Sequence, residues 1–154
     1  MAENIVRFLP PELVRLGVRL VVGNSDMLRK FAENYMNAQI NNTDAPNAII
    51  LLGKLRQRDL RNLFEDAIYY VPNLAILLGG GGKIGRVKEE YDDTVRAGIP
   101  VIPIYSTGGV AKQVEPTADK VKTLYKTFSQ KGANVDAGDL VQAIVKAVRI
   151  YVND

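Results

Sequence analysis

Apolar and polar positions follow one another along this chain in segments of two lengths. Short, nearly uninterrupted apolar runs predict buried strands at residues 18–22, 48–52, 74–78 and 101–105. Longer segments with apolar residues on one face predict helices at 3–16, 27–38, 59–70, 86–97, 118–129 and 140–152. Because strands that alternate with helices are typical of βαβ units, the pattern predicts an α/β fold with an open parallel sheet and helices on both faces.

Local signals refine the bounds of these helices. Pro10 and Pro11 are expected to disturb or divide the first helix, and Gly17 to end it. Gly98 is expected to close the helix at 86–97, and Asp139 to cap the last one. We find no internal repeat or linker, so the 154 residues are interpreted as a single domain, 1–154.

Composition limits the chemistry and the location of the protein. Hydrophobic residues make up 47% and charged residues 24%, which is typical of soluble globular domains. The longest apolar runs are strand-sized, far below the roughly 20 residues of a transmembrane helix, and no signal peptide is visible. We therefore expect a cytoplasmic protein with no membrane partner.

Cysteine and histidine are both absent. Their absence excludes disulfides, thiolate and imidazole metal ligands, and Ser-His-Asp catalysis, so we expect no metal, no cofactor and no assigned catalytic residue. Any catalysis would have to use carboxylate, Lys, Tyr or Ser side chains. A net charge of +3 favours anionic partners, but the basic residues are too few and too localised for a dedicated nucleic-acid binder.

Glycine follows each of the four predicted strands, at the edge of the sheet where ligands of parallel α/β proteins bind. Glycine suits this position because phosphate oxygens can then approach main-chain N–H groups that a Cβ would obstruct, and a helix N-terminus adds positive potential. The run after the third strand is the best such loop, although it matches neither the P-loop nor the Rossmann fingerprint. The glycines concerned are Gly23, Gly53, Gly79, Gly80, Gly81, Gly82, Gly108 and Gly109.

Charged and hydroxyl side chains accompany these loops. Arg58 and Arg61 are spaced to face a phosphate together, or else belong to a solvated helix face, and Lys83 follows the glycine run. Two interpretations are open for Glu90 and its neighbour Glu89. Either both carboxylates interact only with the helix dipole, or one of them accepts hydrogen bonds from ribose hydroxyls. Tyr91 either packs in the core, which is the favoured interpretation, or stacks on a base of the ligand. Ser106 and Thr107 are either hydroxyl donors to a ligand or turn residues.

The order of these motifs resembles the SLOG superfamily, which includes LOG-type phosphoribohydrolases, DprA-like proteins and nucleotide-sensing domains of bacterial defence systems. The motifs are Gly85-x-x-x-Glu89-Glu90-Tyr91, the segment 98–104 and Thr107-Gly108-Gly109. The stretches GRVKEEY and VIPIYSTGG are most similar to the C-terminal SLOG domain of Thoeris antiphage effectors. The resemblance covers about residues 17–152.

The resemblance implies a Rossmann-like domain that binds a nucleotide-derived signal, in the Thoeris branch a cyclic ADP-ribose isomer. It implies a sensor or regulatory module that works as a homo-oligomer or effector subunit. Glu90 matches the ligand-facing glutamate, Arg61 or its rival Arg58 the helix arginine, and Lys83 a loop lysine. The loops with Gly79 to Gly82 and with Thr107 to Gly109 match turns that contact phosphate and ribose, and Gly23 lies on the same edge.

Two departures from the family change what is expected. The family begins with a strand before its first helix, whereas this chain starts within that helix, so the first family strand is expected to be missing. The enzymes carry PGGxGTxxE, but here Lys83 and Ile84 replace the GT step, which favours binding over hydrolysis. A LOG-like nucleoside monophosphate phosphoribohydrolase remains the alternative, and a DprA-like contact with nucleic acid is less favoured.

Overall fold

Four parallel strands form a sheet in the part of the chain that the structure describes. The structure is a computed structural model that describes residues 2–22, 26–38, 48–52, 72–79, 84–129 and 136–152. The strands are β1 (Arg19–Val22), β2 (Ala48–Leu52), β3 (Leu74–Leu78) and β4 (Val101–Ile104). Their in-register partners include Ile50 with Ala75 and Ile76 with Ile102. The α/β class and the parallel sheet expected from the sequence are therefore confirmed.

Five α-helices accompany the strands among the described residues: α1 (Ala2–Arg15), α2 (Asp26–Ala38), α3 (Ile84–Arg96), α4 (Tyr125–Phe128) and α5 (Ala137–Val152). Three 3₁₀ segments, Tyr105–Thr107, Gly109–Lys112 and Asp119–Leu124, follow β4. The helix predicted at 59–70 lies outside the described residues. No helical segment of the described part has the length and apolar character of a membrane span.

Two predictions about helices were wrong in detail. Helix α1 runs unbroken through Pro10 and Pro11. The carbonyl that Pro10 leaves without its helical donor, that of Val6, accepts a hydrogen bond from Asn34 Nδ2 at 2.9 Å. The segment 118–129 contains a 3₁₀ stretch, Asp119–Leu124, as well as the short helix α4, and Val121 leaves helical geometry at φ −118° and ψ 28°.

The cap of α5 also differs from the prediction. Asp136 lies before the helix and its Oδ1 accepts a hydrogen bond from the N–H of Asp139 at 2.9 Å. Asp139 is therefore inside the first turn, where its carboxylate faces the positive end of the helix. Gly17 and Gly98, by contrast, do end their helices, with φ of 67° and 77°.

The hydrophobic core lies on both faces of the sheet. Alternate residues of β3 point to opposite sides, and all five are buried, as in a strand covered on both faces. Leu74, Ile76 and Leu78 pack in one cluster with residues of α1, α2 and α5. Ala75 and Leu77 pack in another with residues of α3 and of the segment Gly109–Lys112. Helices therefore lie on both faces, as the sequence predicted.

The strand order β1-β2-β3-β4 runs in one direction across the sheet. The steps from β1 to β2 and from β3 to β4 have the same direction, yet α2 packs in the first core cluster and α3 in the second. When two parallel crossovers lead in the same direction across a sheet and their helices lie on opposite faces, the two crossovers have opposite handedness, whereas nearly all known crossovers are right-handed. In a doubly wound sheet the strand order reverses once, so crossovers with helices on opposite faces can have the same handedness.

The outer edge of β4 is covered by the segment that follows it. Thr117 donates its N–H to the carbonyl of Val101, and its Oγ1 accepts the N–H of Val101, both at 2.9 Å. Pro103, two residues further, faces the same edge and has no N–H to offer. These features leave little of β4 for pairing with another strand.

Candidate ligand site at the carboxyl ends of β3 and β4

Gly79 is the residue at which the chain leaves β3. Its φ of +63° lies in the left-handed region that favours glycine, and a Cβ there would meet the backbone oxygen of Thr107 at 3.4 Å. Its N–H donates to Thr107 Oγ1 at 2.7 Å, and its carbonyl accepts the N–H of Ala111 at 3.0 Å. The glycine run therefore starts from a residue whose two main-chain polar groups are both bonded to the segment after β4.

The hydroxyl of Thr107 is hydrogen-bonded within the protein. Besides accepting from Gly79, its hydroxyl donates to the carbonyl of Ile104 at 2.6 Å. A hydroxyl has a single proton to donate, so Thr107 Oγ1 can donate to a ligand only if it gives up Ile104. Gly79 and Thr107 are thus brought together as the sequence predicted, and the N–H groups open to a ligand must be others than that of Gly79.

Two further predicted residues, Gly108 and Gly109, complete the turn after β4. Both have positive φ, 77° and 59°, and Gly108 donates its N–H to the carbonyl of Tyr105 at 3.0 Å. In the part of the chain that the structure describes, nothing lies within 4 Å of the place where a Cβ of Gly108 would be. The turn therefore presents bare backbone and open space, which is compatible with close approach of a ligand.

Glu90 is completely buried, with a relative exposure of 0%. It shares one face of α3 with Val87, Tyr91 and Thr94, which are also buried, whereas its neighbour Glu89 is exposed. The Cα–Cβ bonds of a helix tilt towards its N-terminus, so the side chain of Glu90 extends from its own Cα in the direction of Ile84, the first residue of α3.

Tyr91 is a core residue, as the sequence indicated. It is 8% exposed, and its hydroxyl donates to the carbonyl of Glu115. Burial raises the pKa of the Tyr91 hydroxyl, partly offset by the nearby Lys88. The bond to Glu115 ties α3 to the same segment that holds Gly79 and Val101.

Ser106, the residue before Thr107, carries a buried hydroxyl. Within the described residues its Oγ has no hydrogen-bond partner, in contrast with the hydroxyl of Thr107, which both donates and accepts. Sequence reasoning raised Ser106 only as a turn or donor residue and did not separate it from Thr107, since both are hydroxyl residues after the same strand. A ligand oxygen is one group that could satisfy it.

Comparisons with protein-family models, with curated proteins and with solved structures found no match.

The remaining predicted site residues lie outside the described residues: Gly23, Arg58, Arg61, Gly80, Gly81, Gly82 and Lys83. Within the described part, no cluster of Asp and Glu residues could hold a metal ion. Among the described residues, the candidate ligand-binding groups are the backbone of Gly108, the hydroxyl of Ser106 and the carboxylate of Glu90. Each of these kinds of group can form hydrogen bonds with a polar, hydroxyl-bearing ligand.

Proposed function

We propose that this protein is a binding module for a nucleotide-derived signal of the ADP-ribose type, such as a cyclic ADP-ribose isomer. It acts as a sensor or regulatory module, in a Rossmann-like domain of the SLOG kind, in antiphage defence. Parallel strands and helices on both faces support the Rossmann-like part of the proposal. The sequential strand order is where the protein departs from it.

The burial of Glu90 is the observation that carries the proposal. Glu90 lies between Val87 and Thr94 on the buried face of α3, where an acidic residue is uncommon because glutamate is among the residue types least often fully buried. A carboxylate is suited to accept hydrogen bonds from ribose hydroxyls, and the glycine run 79–82, which precedes α3 in the sequence, is suited to bind phosphates. Together they fit a ribose-phosphate ligand better than a bare phosphate.

Isothermal titration calorimetry with cyclic ADP-ribose isomers, ADP-ribose, NAD and AMP tests the proposal. We expect submillimolar binding of at least one compound that contains ADP-ribose, and weaker binding of AMP, which lacks the second ribose. Absence of heat with all four at submillimolar concentration contradicts it. Light scattering with and without the bound compound then shows whether the module works as a homo-oligomer, as we propose.

A LOG-like nucleoside monophosphate phosphoribohydrolase is the second candidate, and the same buried carboxylate favours it. Glu90 would stabilise the positive charge that develops on the ribosyl carbon while the N-glycosidic bond breaks. Incubation with nucleoside monophosphates and chromatography for free base separates the two candidates. Release of base that Glu90→Gln abolishes supports the enzyme, and binding without release supports the sensor.

A further inference from the structure

Thr107 holds Gly79 in place through a chain of two hydrogen bonds. Its hydroxyl proton goes to the carbonyl of Ile104 at 2.6 Å, which leaves its oxygen as the acceptor for the N–H of Gly79 at 2.7 Å. The direction of the chain is fixed, because the carbonyl of Ile104 can only accept. The end of β4 is thereby linked to the end of β3 through one side chain.

The other contacts of Gly79 come from the same segment. Ala111 donates its N–H to the carbonyl of Gly79 at 3.0 Å, and the backbone oxygen of Thr107 lies 3.4 Å from the place of a Cβ. Gly79 is therefore held on its N–H side, its carbonyl side and its Cα. Of these contacts, only the one from Thr107 Oγ1 depends on side-chain chemistry that a substitution can remove.

We propose that Thr107 is a positioning residue, which acts on the ligand site through Gly79 and not by touching the ligand. This inference rests on the proposed function. It separates the two hydroxyls after β4, since Thr107 Oγ1 is hydrogen-bonded to Gly79 and Ile104, whereas Ser106 Oγ is buried with no hydrogen-bond partner in the described part of the chain. With Gly79 fixed before a ligand arrives, less conformational entropy is lost on binding.

Three variants separate this role from general stabilisation. Thr107→Val has nearly the same shape and lacks both hydrogen bonds, and Thr107→Ser keeps the hydroxyl. Thr117→Val is the matched control, because Thr117 Oγ1 accepts the N–H of Val101 at 2.9 Å in the same manner but at the start of β4. Each variant is measured by amide hydrogen exchange and proton chemical shift of Gly79 in the ligand-free protein, and by calorimetry with ADP-ribose.

We expect Thr107→Val to speed exchange of the Gly79 amide, to shift its proton resonance upfield and to weaken ADP-ribose binding about tenfold. Thr107→Ser should restore all three, and Thr117→Val should leave all three as in the unmodified protein. An unchanged Gly79 amide in Thr107→Val overturns the inference, as does a changed amide with unchanged affinity. If the unmodified protein binds no ADP-ribose, the proposed function fails separately, and the Gly79 amide alone decides whether Thr107 fixes that residue.

Discussion

Asn34 Nδ2 donates a hydrogen bond of 2.9 Å to the carbonyl of Val6. In an unbroken helix this carbonyl would accept the N–H of the residue four positions later, which is Pro10 and has none. Helix α2 thus supplies the donor that Pro10 removes from α1, and α1 continues through both prolines.

The hydrogen bond from Asn34 to Val6 predicts that substitutions at positions 34 and 10 have strongly non-additive effects on stability. Asn34→Ala should lower the free energy of unfolding by about 1–2 kcal/mol, because it leaves a partly buried carbonyl without a donor. In a Pro10→Ala background the new N–H of residue 10 can bond to Val6, so the same change should cost less than about 0.5 kcal/mol. Urea unfolding of the four proteins measures the coupling, and equal costs in both backgrounds would contradict the explanation.

Gly79→Ala should destabilise the protein and weaken ligand binding. The positive φ alone costs an L-residue about 1 kcal/mol or more, and the new Cβ would touch Thr107. Gly98→Ala is the control, since Gly98 has a φ of +77° at the end of α3 with nothing within 4 Å of a Cβ. Thermal unfolding should show comparable losses for both variants, and calorimetry with ADP-ribose should show weaker binding for Gly79→Ala alone; equal affinities would remove Gly79 from the site.

The raised pKa of the Tyr125 hydroxyl predicts a loss of folding stability at alkaline pH. Burial, with Asp119 and Tyr151 nearby, raises the pKa of its hydroxyl from 10.0 to about 12. The folded protein therefore holds this proton more tightly than the unfolded chain, so the contribution to stability is complete below pH 10 and is lost as pH rises towards 12. Tyr125→Phe should reduce the slope of unfolding free energy against pH in that range, and an unchanged slope would show that Tyr125 is not its source.

The same substitution should be harmless at neutral pH. The hydroxyl of Tyr125 is buried and has no hydrogen-bond partner among the residues that the structure describes, so removing it should leave the unfolding free energy unchanged or raise it. Tyr91→Phe is a useful contrast, because the Tyr91 hydroxyl donates to Glu115 and its loss should cost about 1 kcal/mol. Urea unfolding at neutral pH distinguishes the two, and a larger loss for Tyr125→Phe would contradict the assignment.

The sheet order predicts which strands are neighbours in solution. Backbone nuclear Overhauser contacts should join Ile50 to Ala75, and Ile76 to Ile102 as a control within the same sheet. Contacts between Val21 and Ala75 in place of the first pair would contradict the sequential order. They would indicate instead the reversed order of a doubly wound sheet, in which both crossovers can be right-handed.

The strands were predictable because buried parallel strands are plain apolar runs, and all four appear within one residue of their expected bounds. The apolar part of the buried face of α3 is likewise visible in the spacing of Val87 and Tyr91, whereas the burial of Glu90 and Thr94 is not, because both side chains are polar. The continuity of α1 could not be predicted from the sequence, because the donor to the Val6 carbonyl comes from Asn34, which is 28 residues away in sequence.

The candidate site was predictable to a similar extent. Glycine after β3 and β4 marks where backbone must adopt positive φ, and Gly79, Gly108 and Gly109 do so. The different hydrogen bonding of Thr107 and Ser106 was not predictable, because it depends on a contact between residues 28 positions apart, Gly79 and Thr107. The sequence does not indicate which partner a hydroxyl residue in a turn will bind, so only tertiary geometry distinguishes the two.

Glu90 provides the most direct test of the central claim that this protein binds a ribose-phosphate ligand at the carboxyl end of its sheet. Glu90→Gln keeps the shape of the side chain and removes its charge, and Glu89→Gln does the same to the exposed neighbour. Calorimetry with ADP-ribose should show binding weakened at least about tenfold for Glu90→Gln, since hydrogen bonds to a charged group are worth roughly 1.5–3 kcal/mol, and unchanged for Glu89→Gln. Equal affinity of both variants and the unmodified protein would contradict the claim.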